Sequence, residues 1–293
     1  MNELWEFTTW LNLRLDHPAD WELLAYGKDP ERGRLSFADR SGVRLELSWQ
    51  QLAGNPDLRR MVGDYRVRLE EQYPTARRSV ADRPGWRGFH IRPEEGPVQS
   101  RFLRHERGLD RALELVVIGK GADPDEPLLE RILSSVGEES AAADGSRRWR
   151  CWGLETWVPA GMNLQSVTAQ PAHLALTFAD PSGRETVEVS RRGLLDLWLE
   201  QPLDAWFRDQ MPAGFRADPE GMTTETPQPG HSARRIAGSF RERAAMLGGR
   251  SLRLIASAWI CPTHRRLVAW QRRSRQRQPR VPRVICCPAP VLP

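Results

Sequence analysis

The sequence predicts an α+β protein made of two homologous domains, each an antiparallel β-sheet flanked by two helices. Three observations predict it. The chain has 293 residues, a length suited to two domains. It matches itself when displaced by 141 residues. Each half also reads as strands, a helix, more strands and a closing helix, an order that separates the two kinds of element.

The self-match is ungapped over 25 positions. Pro18, Ala19, Leu23, Pro30, Leu35, Phe37, Ala38, Asp39, Ser41 and Gly42 fall on Pro159, Ala160, Leu164, Pro171, Leu176, Phe178, Ala179, Asp180, Ser182 and Gly183. The shared Phe-Ala-Asp-x-Ser-Gly reads as a strand entering a tight turn. At a displacement of 152 the match returns: Leu115 and Val116 meet Leu267 and Val268, and Arg131, Ile132 and Leu133 meet Arg283, Val284 and Ile285. The expected domains are residues 1–140 and 147–293, with the small, polar segment 141–146 as linker.

The elements follow from periodicity. Residues 10–15, 21–26, 34–37 and 43–49 read as strands, the last because Val43, Leu45, Leu47 and Trp49 alternate with polar residues. Leu58, Met61, Val62, Tyr65 and Leu69 recur at helical spacing, with Pro56 suited to the first turn and Pro74 as the stop. Residues 86–91, 98–105 and 112–118 read as three further strands. A closing helix is expected over 125–136, with Leu128, Leu129, Ile132 and Leu133 on its apolar side. In the second half, Leu203, Trp206 and Phe207 centre the first helix, while Pro282 and Pro288 bracket Val284 and Ile285 where the last should lie.

This order of elements, with Pro18 to Trp21 opening the first half and Ile132 to Val136 closing it, resembles the PsbP-like superfamily. Its members include extrinsic photosystem subunits, a nuclear-import factor and bacterial chaperones for secretion effectors. The resemblance implies a non-enzymatic binding module and supplies no site residues.

Catalytic motifs do not form. Gly-x-Ser-x-Gly and the phosphate-binding Gly-x-x-x-x-Gly-Lys-Ser/Thr are both missing from the sequence. His105-Glu106 has Leu109 where a helical zinc site needs a second histidine. The pairs Glu70–Glu71, Glu94–Glu95 and Glu138–Glu139 are neighbours, which do not face each other on a helix. The expected role is therefore a non-catalytic protein-binding, scaffold or chaperone-like module; the alternative is a zinc-stabilised domain or an enzyme whose site is assembled only by folding. No stretch has the ~20 apolar residues of a membrane span, and Met1 to Pro18 has no basic region followed by an apolar run. A cytoplasmic location is expected.

Three sets of residues are candidates for binding. The chain has 12 tryptophans against 3 tyrosines. Trp10, Trp21, Trp152 and Trp157 are candidate anchors in a groove for a protein partner. The second set is charged. Residues 231–293 hold 14 arginines and one acid, Glu242, a formal +13, whereas the other 29 basic and 37 acidic residues sum to −8. Arg272, Arg273, Arg275, Arg277 and Arg280 form the densest part. They suit phosphate, of nucleic acid or another anion, or self-association with the acidic counterpart Asp123, Asp125 and Glu126. The third set is Cys261, His264, Cys286 and Cys287, whose thiolate and imidazole donors suit tetrahedral zinc. Against it, the side chains of adjacent cysteines diverge. The alternative is a set of small buried thiols or one labile disulfide.

Overall fold

The computed structural model describes residues 4–52, 57–242, 250–277 and 279–287. The chain forms two compact units that meet in sequence between Glu139 and Ser140.

The first unit runs β1 (Trp5–Trp10), β2 (Leu13–Pro18), β3 (Glu22–Tyr26), β4 (Arg32–Asp39), β5 (Gly42–Gln51), α1 (Leu58–Gln72), β6 (Arg77–Val80), β7 (Arg87–Arg92), β8 (Gln99–Glu106), β9 (Arg111–Ile118), α2 (Glu126–Ser135) and β10 (Gly137–Glu138). Its main sheet has seven antiparallel strands in the order β3-β4-β5-β9-β8-β7-β6. The alternating apolar residues set its register. Leu35 pairs with Leu47 and Phe37 with Leu45, and all four are buried. Burying one face forbids a one-residue slip, which would turn that face to water. Strand β2 pairs on one side with β1 and on the other with β10.

Both helices of this unit have acidic caps. Asp57 accepts from the Arg60 N–H at 3.0 Å to open α1, and Pro56 lies outside the described residues. Leu69 of α1 packs with Ala76, Phe89 and Ile91. Asp125 accepts from the Leu128 N–H at 3.1 Å and opens α2. That helix buries Leu129, Ile132 and Leu133 and holds β2 through the Asp16 N–H, which donates to Ser135 Oγ at 2.8 Å. Losing one cap of this kind costs about 1 kcal/mol. Asp125→Ala is expected to lower the urea midpoint accordingly, and an unchanged midpoint would show that the cap does not support α2.

The second unit runs β11 (Arg147–Cys151), β12 (Leu154–Val158), β13 (Asn163–Gln170), β14 (His173–Ala179), β15 (Thr186–Arg192), α3 (Leu195–Trp198), α4 (Leu203–Asp209), β16 (Arg216–Glu225), β17 (Ala233–Glu242), β18 (Arg250–Cys261), β19 (Arg266–Ser274) and β20 (Arg283–Ile285). Its seven-stranded antiparallel sheet has the order β13-β14-β15-β19-β18-β17-β16. This order corresponds strand for strand to that of the first unit. Leu176 pairs with Val189 and Phe178 with Val187, at the positions equivalent to Leu35, Leu47, Phe37 and Leu45. Strand β12 pairs with both β11 and β20.

The expected helix-flanked α+β class is overturned. Strands make up 52% of the described residues and helices 13%. Among the described residues the second unit has the four-residue α3 and the seven-residue α4 as its helices. Where its closing helix was expected stands β20, three residues long. Pro279 and Pro282 lack the N–H that a helix needs, and the segment pairs instead, Val284 opposite Thr156. The long strands β17, β18 and β19 absorb stretches in which arginines and Gly238 obscure the alternation. Among the described residues no helix is long and apolar enough to cross a membrane.

Candidate functional site

Four side chains of the second unit converge from three separate elements. Cys261 ends β18, His231 stands just before β17, and Cys286 and Cys287 follow β20. Their donor atoms all lie within 4.8 Å of one another. Cys261 Sγ is 3.2 Å from Cys287 Sγ, and Cys286 Sγ is 3.8 Å from Cys287 Sγ. His231 Nε2 is 3.8 Å from Cys287 Sγ. Three of the four residues are buried and Cys287 is half-buried.

Local structure explains the convergence. The β18–β19 turn is tight: Arg265 adopts a φ of +48° and its N–H donates to the Cys261 carbonyl oxygen at 2.9 Å. The turn also aims the His264 N–H at Cys261 Sγ, at 3.4 Å. A second turn, closed by the His231 N–H to the Gln228 carbonyl oxygen at 3.1 Å, presents the imidazole. With its proton on Nδ1, His231 donates to the Pro229 carbonyl oxygen at 3.0 Å and turns Nε2 toward the thiols. Gln228 holds Cys286 at both ends. Its Oε1 accepts from the Cys286 N–H at 3.3 Å and its Nε2 donates to Cys286 Sγ at 3.5 Å. The same amide nitrogen is 3.0 Å from His231 Nε2. Trp259 Nε1 donates to Cys286 Sγ at 3.3 Å.

The thiols differ in acidity. Burial opposes ionisation of Cys261, but hydrogen bonding with His231, the His264 backbone, Cys287 and the His264 ring brings it down to about 6. Burial pushes Cys286 up to about 12, and burial with the neighbouring Cys261 raises Cys287. A low-pKa thiol is the one that reacts and ligates. Burial also raises the thiol of Cys151 on β11, which is not among the converging residues.

Sequence reasoning named Cys261, His264, Cys286 and Cys287 and missed His231. His264 is exposed; its Nδ1 lies 3.6 Å from Cys261 Sγ and 3.4 Å from Cys287 Sγ, but it is not one of the four mutually close residues. The chain bends at Cys286–Cys287, so the adjacent side chains do not diverge as expected.

The other candidate residues are placed differently. Trp10 and Trp21 are buried, so neither offers a face to a partner. Trp152 and Trp157 are half-buried; the Trp157 ring lies under the guanidinium groups of Arg148 and Arg283, at 5.2 and 4.7 Å. Arg272 is buried and pairs with Glu185 at 2.7 Å, which removes it from any anion site. Arg273 stacks on Phe240 at 5.8 Å. Arg275, Arg277 and Arg280 are exposed, the last donating to the Asp144 carbonyl oxygen at 3.0 Å. The acidic counterpart is engaged inside the first unit. Asp125 caps α2, Glu126 pairs with Arg83, and Asp123 is 3.6 Å from Arg92.

A surface feature that sequence reasoning missed lies at α3. Leu194 and Leu197 are 61% and 77% exposed. They line a cleft of about 400 Å³ with Pro171, Ala172, Trp198 and Arg192. The backbone there is unusual: Leu194 has a φ of +54° and Ala172 of +62°. The Gly193 N–H donates to the Ala172 carbonyl oxygen at 2.7 Å, and Trp198 Nε1 donates to the Gly193 carbonyl oxygen at 2.8 Å. Two leucines are thus held out into water by a fixed turn.

No family model matches the chain, and no curated protein matches it in sequence. Among solved structures it is similar to the apo structure of immunity protein TplEi of the T6SS from Pseudomonas aeruginosa. The identity is 9% and the TM-score 0.36, over 94% of this chain and 90% of that one. It is similar also to immunity protein TplEi complexed with "L" peptide, with 8% identity and a TM-score of 0.34, over 94% of this chain and 88% of that one. Likeness of this degree assigns neither family nor partner to the chain.

Proposed function

We propose that the chain is a non-catalytic protein-binding module that docks an apolar segment of its partner in the α3 cleft. The exposure of Leu194 and Leu197 beside Trp198 carries this reading. A left-handed conformation costs a non-glycine residue about 1–2 kcal/mol, and strain of this kind clusters at ligand clamps. Holding a leucine in that conformation with its side chain in water costs the free chain twice, once in backbone strain and once in hydration. A partner that covers the patch recovers the second cost. Trp198 supplies the large rigid surface typical of binding hot spots, and the Arg192 guanidinium lies 5.7 Å over its ring.

We further read the two units as diverged copies of one domain. The ungapped identities and the common strand order support that reading. On it, the cleft belongs to the second copy, where α3 follows β15.

The test is affinity capture from the native host with the full chain and with Leu194→Asp/Leu197→Asp. The wild type is expected to retain a specific partner, and the double variant to lose at least ~10-fold of it, the loss of about 1.4 kcal/mol or more that a hot spot carries. Thermal unfolding should be little changed, because both side chains are already in water. Undiminished capture by a folded double variant would overturn the assignment.

A further inference from the structure

We propose that Cys261, Cys286, Cys287 and His231 form a tetrahedral zinc site that ties the closing segment of the second unit to strands β17 and β18. The donor set is three thiolates and one imidazole, the Cys₃His combination of structural zinc centres. Zinc–sulfur bonds of about 2.3 Å and zinc–nitrogen bonds of about 2.0 Å place neighbouring donors of a tetrahedron about 3.5–3.8 Å apart. The observed separations of 3.2, 3.8 and 3.8 Å lie close to that.

The surrounding groups fit a metal better than they fit four idle side chains. Three N–H groups point at sulfur: Trp259 Nε1 and Gln228 Nε2 at Cys286, and the His264 backbone at Cys261. Such donors favour the thiolate form that ligates. The Pro229 carbonyl oxygen fixes the His231 tautomer through Nδ1, the usual outer partner of a metal-bound histidine. The cation takes the Nε2 lone pair that Gln228 now approaches.

The site also answers a structural need. In the first unit the closing element is the ten-residue α2, anchored by Leu129, Ile132 and Leu133. In the second the last described strand is the three-residue β20, and the buried side chains on and beside it are Pro282, Val284 and Cys286. Among the described residues no helix with such apolar contacts stands here, and a metal that binds folded chain better than unfolded chain supplies the anchorage. At the displacement of 152 residues Cys286 and Cys287 fall on Ser134 and Ser135, so thiols stand in the sequence where the first half has hydroxyls.

The competing arrangement is a Cys261–Cys287 disulfide, since those sulfurs are close. The experiment uses the full chain, purified without chelator or metal-affinity tag from cells supplied with zinc. Zinc is measured by mass spectrometry and thiols by titration in denaturant. The expected result is one zinc and four titratable thiols per chain. Cys261→Ser, Cys287→Ser and His231→Ala should each lower zinc at least ~10-fold, the scale of losing one ligand, while Cys151→Ser keeps it. Should the ligand variants fail to fold, the wild type refolded with cobalt(II) decides. Intense visible bands and a sulfur-to-cobalt charge-transfer band report a tetrahedral thiolate site. Two missing thiols without zinc, four free thiols without zinc, or full zinc in both Cys261→Ser and His231→Ala would each overturn the proposal.

Discussion

Replacing Trp259 by alanine is expected to destabilise the second unit by about 4 kcal/mol, the range for emptying a buried indole. Trp259 is fully buried on β18, opposite Val268 on β19, and its Nε1 donates to Cys286 Sγ. The substitution therefore removes a large apolar volume and one hydrogen bond together. Trp259→Phe separates the two. It keeps most of the volume and loses the N–H, so its cost should include about 1 kcal/mol for the hydrogen bond. Urea unfolding followed by far-ultraviolet circular dichroism measures both. An alanine variant within 1 kcal/mol of wild type would show that the indole does not hold the β18–β19 core. The phenylalanine variant also reports on the thiol cluster, because it removes a donor from Cys286 without touching a ligand.

Asp39→Asn is expected to cost about 3 kcal/mol at neutral pH, as when a buried ion pair loses one member. The Asp39 and Arg44 side chains are 8% and 10% exposed, with Arg44 Nε 2.8 Å from Asp39 Oδ2. Arg44 also donates to the Gly119 carbonyl oxygen at 3.0 Å, so the pair ties the β4–β5 turn to the end of β9. The hydrogen bond from Arg44 is the main cause that holds the Asp39 carboxyl below its ordinary range. Burial works against it, and the Ser41 N–H and the charges of Arg44 and Lys120 assist. The sign of the pH effect follows. A carboxyl whose folded pKa is depressed contributes its stability above the unfolded value of about 3.9 and loses it as pH falls through the folded value. The stability difference between wild type and Asp39→Asn should therefore be full at pH 7 and shrink below about pH 4. Equal differences in urea midpoint at pH 7 and pH 3 would show that the charge of Asp39 is immaterial.

Some of this molecule could be read from its residues and some could not. Val43, Leu45, Leu47 and Trp49 announce a strand because one face must be dry, and β5 spans Gly42–Gln51. Leu58 to Leu69 announce α1 for the same reason at a different period. The thiol cluster was half legible: Cys261 and the Cys286–Cys287 pair lie near one another in sequence. His231 carries no such signal, since only the pairing of β17 with β18 brings it to Cys261, and spacing rules see neighbours along the chain. Tryptophan content could not distinguish Trp10, a core residue, from an anchor, because an indole is suited to both. Arg272 is invisible as a core residue until Glu185 is found beside it. The fold class failed on helix content. The sequence has helical periodicity in the first half, and proline at 279 and 282 together with arginine-studded strands leaves little room for it in the second.

The shared strand order has a consequence for how the chain is made. In the second sheet β15 finds its neighbour β19 only across an excursion, and Glu188 and Gln271, which face each other, are separated by 83 residues. A pairing that distant is slow to form, because loop closure comes before any contact rewards it. During synthesis β14 and β15 can pair as soon as they emerge, but the outer edge of β15 then presents unpaired N–H and C=O groups until β19 has been translated. An open edge of this kind invites pairing with other chains. Strands β9 and β19 thus act as the seal on a nascent edge. A nascent chain halted before Arg266 would expose the β15 edge, whereas one in which β19 has cleared the ribosome would have that edge paired.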